Sequence, residues 1–236
     1  MIAPNLEKRS LSASLSPMIS LVIFDCDGVL VDSELITNRI FAAMINELGV
    51  AVTLEDMFEK FVGRTMSYCC DLIAKMSGRP LPEDFLERYR LRTTAALQSE
   101  LKAVPGIERA LDAIEALGLP YCVASSGSHD KMRTTLGITG LFPRLDGKLF
   151  SVTEVVNAKP APDVFLHAAR RCGAEPSSCL VVEDSPIGVA AGVAAGMTVF
   201  GYCALTPKQR LLDAGAHRTF SDMSRLPELL QAAARV

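Results

Sequence analysis

A short apolar run that ends in two acids, Leu21-Val22-Ile23-Phe24-Asp25-Cys26-Asp27-Gly28, sets paired carboxylates at the tip of a buried strand. Four consecutive apolar residues suit a strand covered on both faces. Carboxylates at its tip are costly to desolvate unless something offsets their charge. A divalent cation with oxygen ligands would do so, and would make the tip a phosphate-handling site. Gly28 then allows a tight turn and a close backbone approach. Alone, such a segment is also ordinary turn chemistry. Its weight comes from three further polar clusters, each placed just after an apolar run.

The second cluster is Ser125-Ser126-Gly127, after Tyr121-Cys122-Val123-Ala124. A hydroxyl with exposed backbone N–H groups near a helix start can hold a phosphate oxygen. The same residues also make a routine loop and cap. The third is Lys159 in Ala158-Lys159-Pro160-Ala161-Pro162-Asp163, where two prolines fix the backbone and aim the ammonium. A solvated lysine in a proline-rich loop is the alternative. The fourth, Glu183-Asp184-Ser185-Pro186, again ends an apolar strand in two acids, with Ser185 as helix cap and Pro186 at the first helical position. Glycines and alanines from Gly188 to Gly196 let that helix pack close to its sheet. One metal-and-phosphate constellation accounts for all four clusters better than four coincidences.

These positions demand a particular scaffold. After Asp32 the apolar period turns helical: Ile36, Ile40, Met44 and Leu48 recur at every fourth residue up to Gly49, with Ser33 as cap. Thr53 starts a second short helix, residues 65–76 a third, and Pro82 opens a fourth that reaches about Lys102. The spacing predicts a four-helix cap over 33–102, inserted into an α/β core at 18–32 and 103–236, with 1–17 as a flexible leader. Met44, Met57, Met66 and Met76 are expected in the core of the cap. From Pro105 onward helices alternate with strands at 121–124, 149–151, 179–182 and 197–200. That alternation indicates a Rossmann-like parallel sheet with helices on both faces. Ligands of such sheets gather beyond the carboxyl ends of the strands, where all four clusters fall.

Composition narrows the function classes. The 236 residues suit one sizeable domain plus an accessory unit, and 49% hydrophobic content marks a folded chain. Against 27 acidic residues stand 24 basic ones, with no basic block suited to nucleic acid and no apolar stretch long enough to span a bilayer. Seven cysteines without a C-x-x-C pair argue against a disulfide framework or zinc site, and for a reducing cytoplasm. The expectation is a cytoplasmic monomer or small homo-oligomer whose partner is a small phosphorylated metabolite. His129 beside the second cluster, His167 on a core helix and His217 in a surface loop receive no role.

Together, the segment from Asp25 to Glu34, with Ser125, Lys159 and Glu183-Asp184, resembles the four ordered motifs of the haloacid dehalogenase superfamily. Their order, their spacing and the helical insertion are similar to its phosphatase and beta-phosphoglucomutase-like branch. The likeness runs from about Met18 to the end. Residues 159–207 and Leu226-Pro227-Glu228-Leu229 look like bacterial phosphogluconate-type sugar phosphatases.

The resemblance implies roles. Asp25 would be the nucleophile that forms an aspartyl-phosphate. Asp27 would protonate the leaving oxygen and then serve as base for water. Lys159 and the Ser125 hydroxyl would steady the phosphoryl charge, with Ser126 and Gly127 binding phosphate. Mg²⁺ would be held by Asp25, the backbone carbonyl of Asp27 and Asp184, with Glu183 either reaching it through water or supporting its ligands. The helices would close over the substrate, and Arg64 would meet it unless it is simply a solvated residue at a helix start.

Departures from relatives narrow the reaction. Dehalogenases and phosphonatases lack the second aspartate, so Asp27 counts against carbon–halogen and carbon–phosphorus cleavage. Mutases of this branch carry a histidine where Thr37 stands and a lysine where Ser128 stands, which favours hydrolysis here. A phosphosugar mutase and a non-catalytic phosphometabolite-binding protein are the alternatives. A pure binder has no need of an acid at Asp27.

Overall fold

Strand β1 (Leu21–Phe24) is buried along its whole length, and its side chains divide by parity. Val22 and Phe24 enter one apolar layer, Leu21 and Ile23 the other, as the two-residue period of a strand covered on both faces requires. The computed structural model describes residues 19–62, 64 and 66–233. The leader expected at 1–17 lies outside these residues.

The chain leaves the sheet for α1 (Ser33–Glu47), α2 (Leu54–Asp56), α3 (Met66–Ser77) and α4 (Phe85–Glu100). A π-helical turn, Met57–Phe61, continues α2 directly. The return path runs through α5 (Ile107–Ala116), β2 (Tyr121–Ser125), α6 (His129–Ile138), α7 (Phe142–Leu145), β3 (Leu149–Ser151) and α8 (Asp163–Arg171). It ends with β4 (Cys179–Glu183), α9 (Pro186–Ala194), β5 (Thr198–Tyr202), α10 (Lys208–Asp213), β6 (Arg218–Phe220) and α11 (Leu226–Ala233).

All pairings in the six-stranded sheet are parallel, in the order β3-β2-β1-β4-β5-β6. The chain builds outward from β1 through β2 and β3, then crosses to β4 and builds the other way. That reversal opens a crevice beside the carboxyl end of β1. Phe24 is level with Val123 of β2 and Val182 of β4, so Asp25, Ser125 and Glu183 emerge side by side at one rim.

The cap has its own apolar centre. Phe41 packs against Phe61, Phe85 and Tyr89 with ring centroids 6.0, 6.0 and 4.9 Å apart. Such aromatic pairs each add about 0.5–1.5 kcal/mol beyond area burial. The two chain segments joining cap to core run side by side: the Asp32 N–H donates to the Lys102 carbonyl and the Val104 N–H to the Leu30 carbonyl, both at 2.9 Å.

Several local readings need correction. Asp32, not Ser33, holds the cap position of α1, because the Ser33 hydroxyl donates to Asp27 instead. Pro82 begins a turn, and the fourth helix starts at Phe85. Met44 and Met57 are buried in the cap, whereas Met66 and Met76 are each 40% exposed, at the two ends of α3. Strand β6 had no sequence signal: of its three residues only Phe220 is buried, and pairing with β5 supplies its order. Among the described residues no helix is long and apolar enough to cross a membrane.

Candidate active site

Asp25 continues β1 by one residue, its N–H donating to the Val182 carbonyl at 2.9 Å. Its carboxylate receives the Lys159 ammonium, with Nζ to Oδ1 at 2.6 Å. Lys159 also donates to Glu183 Oε1 at 2.8 Å and to the Ala124 carbonyl at 3.1 Å, which occupies all three of its protons. The other Glu183 oxygen accepts from the Ser185 N–H and hydroxyl at 2.9 and 3.0 Å. Ser185 in turn caps α9 by accepting from the Gly188 N–H at 3.1 Å. A Cβ on residue 188 would stand 1.7 Å from Glu183 Oε1, so the helix can approach this carboxylate only with glycine there.

Asp184 completes an acidic trio. One oxygen each from Asp25, Glu183 and Asp184 lie within 4.8 Å of one another. Gly28 makes the turn that admits Asp184: its φ is +78°, and a Cβ would fall 2.0 Å from Asp184 Oδ2. Burial, with the charges of Glu183, Glu34 and Asp25, pushes the Asp184 carboxyl well above the usual carboxylate range. Burial also pushes Asp25 up to about 7, against the pull of Lys159. For Lys159 burial opposes the charge, but Asp25 and Glu183 outweigh it and raise the ammonium. Two buried carboxylates and a partly buried third around one ammonium leave a negative excess. Hard oxygen donors so close together and so poorly compensated fit a divalent cation such as Mg²⁺.

The Asp27 carboxylate turns away from this trio. Its Oδ1 accepts from Ser33 Oγ at 2.6 Å and its Oδ2 from Lys131 Nζ at 2.7 Å. Lys131 sits in the first turn of α6, whose cap Ser128 accepts from the Lys131 N–H at 3.3 Å. Burial works against the charge on Lys131, and Asp27 outweighs that effect to raise its pKa. Sequence reasoning missed Lys131; the available signal was its place one turn beyond the Ser-Ser-Gly loop. Position 128 carries no cation, yet Lys131 brings one to the same cavity from the next turn. Glu34 was also missed. Burial and the Asp27 charge raise its pKa, and Asn38 Nδ2 lies 3.2 Å from its Oε2.

Ser125 is fully buried, and its hydroxyl oxygen accepts from the Gly127 N–H at 3.0 Å. The hydroxyl proton therefore remains to be donated into the cavity. Ser151 Oγ donates to the Gly127 carbonyl at 2.7 Å and steadies that loop. These groups enclose about 580 Å³, bounded also by Ser126 and Glu34. An adjoining cavity of about 290 Å³ shares Glu34, Asp184 and Ser185 with the first, and is walled by Phe41, Arg64 and Tyr89 of the cap. Thr206 of the core also lines it.

The structure thus brings Asp25, Asp27, Ser125, Ser126, Gly127, Lys159, Glu183 and Asp184 into one cavity. Arg64 lies in the other, exposed, with its guanidinium carbon 5.4 Å from the Tyr68 ring centroid. Thr37 also lines the second cavity, and its hydroxyl donates to the Glu34 carbonyl at 3.1 Å. The histidines serve elsewhere: His129 and His167 face Glu154 at 3.0 and 3.6 Å, and His217 Nδ1 accepts from the Val199 N–H.

The family model for haloacid dehalogenase-like hydrolases matches residues 19–196. The chain belongs to this family. It is 35% identical to the 6-phosphogluconate phosphatase of Escherichia coli K12, over 91% of this chain and 96% of that protein. Hexitol phosphatase A of the same organism is 31% identical, over 80% of this chain and 85% of its own length. Among solved structures, a haloacid dehalogenase-like protein of Agrobacterium tumefaciens superposes with a TM-score of 0.86 at 34% identity, covering 92% of this chain and 99% of that one. A family hydrolase of Deinococcus radiodurans, solved with bound phosphate and sodium, gives a TM-score of 0.83 at 29% identity, covering 92% and 96%. This haloacid dehalogenase-like hydrolase is a phosphatase.

Proposed function

We propose that this phosphatase hydrolyses a small sugar or sugar-acid phosphate, with Mg²⁺ as cofactor and an aspartyl-phosphate on Asp25 as intermediate. The observation that carries the reading is the Asp25–Lys159–Glu183–Asp184 cluster beside an independently held Asp27.

Asp25 attacks phosphorus through a carboxylate oxygen, and the bond from phosphorus to the ester oxygen breaks. Lys159 keeps the attacking group oriented and offsets charge as the phosphoryl dianion approaches. The Ser125 hydroxyl and the loop at Ser126 and Gly127 receive the phosphoryl oxygens. Asp27 gives its proton to the departing oxygen, then takes one from the water that attacks the aspartyl-phosphate and releases inorganic phosphate. Asp25 and Asp184 would hold the cation. Both Glu183 oxygens are already engaged, which supports a role for Glu183 in orienting Lys159. The cation supplies positive charge against the phosphoryl oxygens and the buried carboxylates.

The sugar-acid assignment rests on the likeness to the 6-phosphogluconate phosphatase, and on the polar and aromatic cavity beside the catalytic one. Phosphate release from a panel of sugar, polyol and sugar-acid phosphates tests it, with Mg²⁺ or with EDTA, for wild type and Asp25→Asn. The expected outcome is metal-dependent release, with 6-phosphogluconate among the best substrates, reduced about 10⁴-fold or more in Asp25→Asn as for a lost nucleophile. Isomerised sugar phosphate in place of free phosphate would mark a mutase. Saturable binding with neither product would mark a binding protein.

A further inference from the structure

Away from the paired linkers, one core side chain reaches across to the cap and bonds only to its backbone there. Arg210 on α10 donates Nη1 to the Phe58 carbonyl at 2.8 Å and Nη2 to the Val62 carbonyl at 3.2 Å. Both acceptors belong to the π-helical turn and its exit, where the Val62 N–H still bonds back to the Met57 carbonyl at 2.9 Å. Carbonyls at the end of a helix need donors from outside it, and a cation there also meets the negative end of the helix dipole. A planar guanidinium can serve two carbonyls at once.

The place of these bonds matters more than their number. Phe61, Val62, Arg64 and Met66, which border the anchored stretch, line the cap side of the second cavity. Thr206, four residues before Arg210, lines the core side. Arg210 therefore ties together the two walls between which a substrate's non-phosphoryl part would lie. An open cleft of about 520 Å³, bounded by Phe58 on the cap and by Leu205 and Arg210 on the core, lies beside these bonds.

We propose that Arg210 is a positioning residue: by anchoring Phe58 and Val62 to the core it sets the cap wall of the second cavity, and with it the selectivity of hydrolysis. The selectivity half rests on the sugar-phosphate reading above; the anchoring half stands without it.

Two readouts are taken on wild type, Arg210→Ala and Arg210→Lys. The first is kcat and KM for 6-phosphogluconate and for p-nitrophenyl phosphate, a flat aryl ester that makes little use of the second cavity. The second is amide hydrogen exchange of residues 57–66 without substrate. Arg210→Ala is expected to lower the ratio of kcat/KM values, metabolite over aryl phosphate, by about tenfold or more, the scale of a charged hydrogen-bond pair. Exchange over 57–66 should rise about tenfold while β1 and β4 keep their protection. Arg210→Lys, which retains charge but not the planar fork, should recover part of both. Unchanged exchange over 57–66, or faster exchange with an unaltered ratio, would overturn the proposal. If wild type does not hydrolyse 6-phosphogluconate, that substrate reading fails on its own, and the best substrate of the panel takes its place in the ratio. Should Arg210→Ala not fold, Arg210→Gln carries the same readouts.

Discussion

The two adjoining cavities follow opposite rules of construction. The proposed catalytic one takes its acids and Ser125 from residues at or just past the ends of three neighbouring parallel strands, whose register sets Asp25, Ser125 and Glu183 side by side. Most of its groups are charged, and several are held by hydrogen bonds of fixed partner, as with Lys159 on Asp25, Glu183 and the Ala124 carbonyl. The second cavity is walled by α1, the π-helical turn, α3 and α4, whose mutual positions depend on aromatic packing around Phe41. Backbone pairing is intolerant of drift, because a shift of register exchanges the buried and exposed faces of a strand. Helix packing tolerates repacking with modest cost. On the proposed function, a fold built this way keeps its chemistry constant while the cap changes what is admitted.

Substitutions in the two cavities should therefore separate by substrate. After loss of the nucleophile itself, the largest effect is expected for Asp27→Asn, which should reduce turnover about 10²- to 10⁴-fold, the usual range for a general acid–base. Metabolite and p-nitrophenyl phosphate should suffer alike at saturating substrate. A loss confined to the metabolite would dissolve the distinction between the cavities. Lys131→Gln should fall next: removing a charged partner of Asp27 is worth about 10- to 100-fold. Kinetics on both substrates place Lys131, since a loss seen only with the metabolite would move it from support of Asp27 to recognition of the substrate. The smallest effect is expected for Asn38→Ala, where a neutral hydrogen-bonding group of the second cavity is removed. A decrease of about 2- to 12-fold in kcat/KM for the metabolite, larger than that for the aryl ester, is the expected result. An equal decrease for both would mean that Asn38 acts through Glu34 on the catalytic cavity.

Legibility in the sequence follows the same division. Asp25, Asp27, Lys159 and the Glu183-Asp184 pair were readable because each sits at the end of an apolar run or just before two prolines, where local spacing carries position. Ser33 was misread as a cap because a serine before a helix looks the same whether its hydroxyl serves the helix or a carboxylate six residues back. Lys131 had no such local mark: its partner Asp27 is 104 residues away. Arg210 is further still from its acceptor at Phe58, 152 residues away along the chain. Met66 and Met76 followed the helical period of the cap but fell at the ends of α3, where the period no longer decides burial.

The sequence by itself determined the parallel α/β scaffold, the helical insertion and the four clusters that end on one rim. These depend on short-range terms, namely the two-residue and near-four-residue periods, capping residues and the turn demanded at Gly28. Only the tertiary structure decided which oxygens of Glu183 were engaged, that Lys131 and Ser33 share Asp27, and that Arg210 joins core to cap. Those outcomes are side-chain contacts set by packing, some to other side chains and some, as at Arg210, to backbone, and no local preference of the chain selects among them.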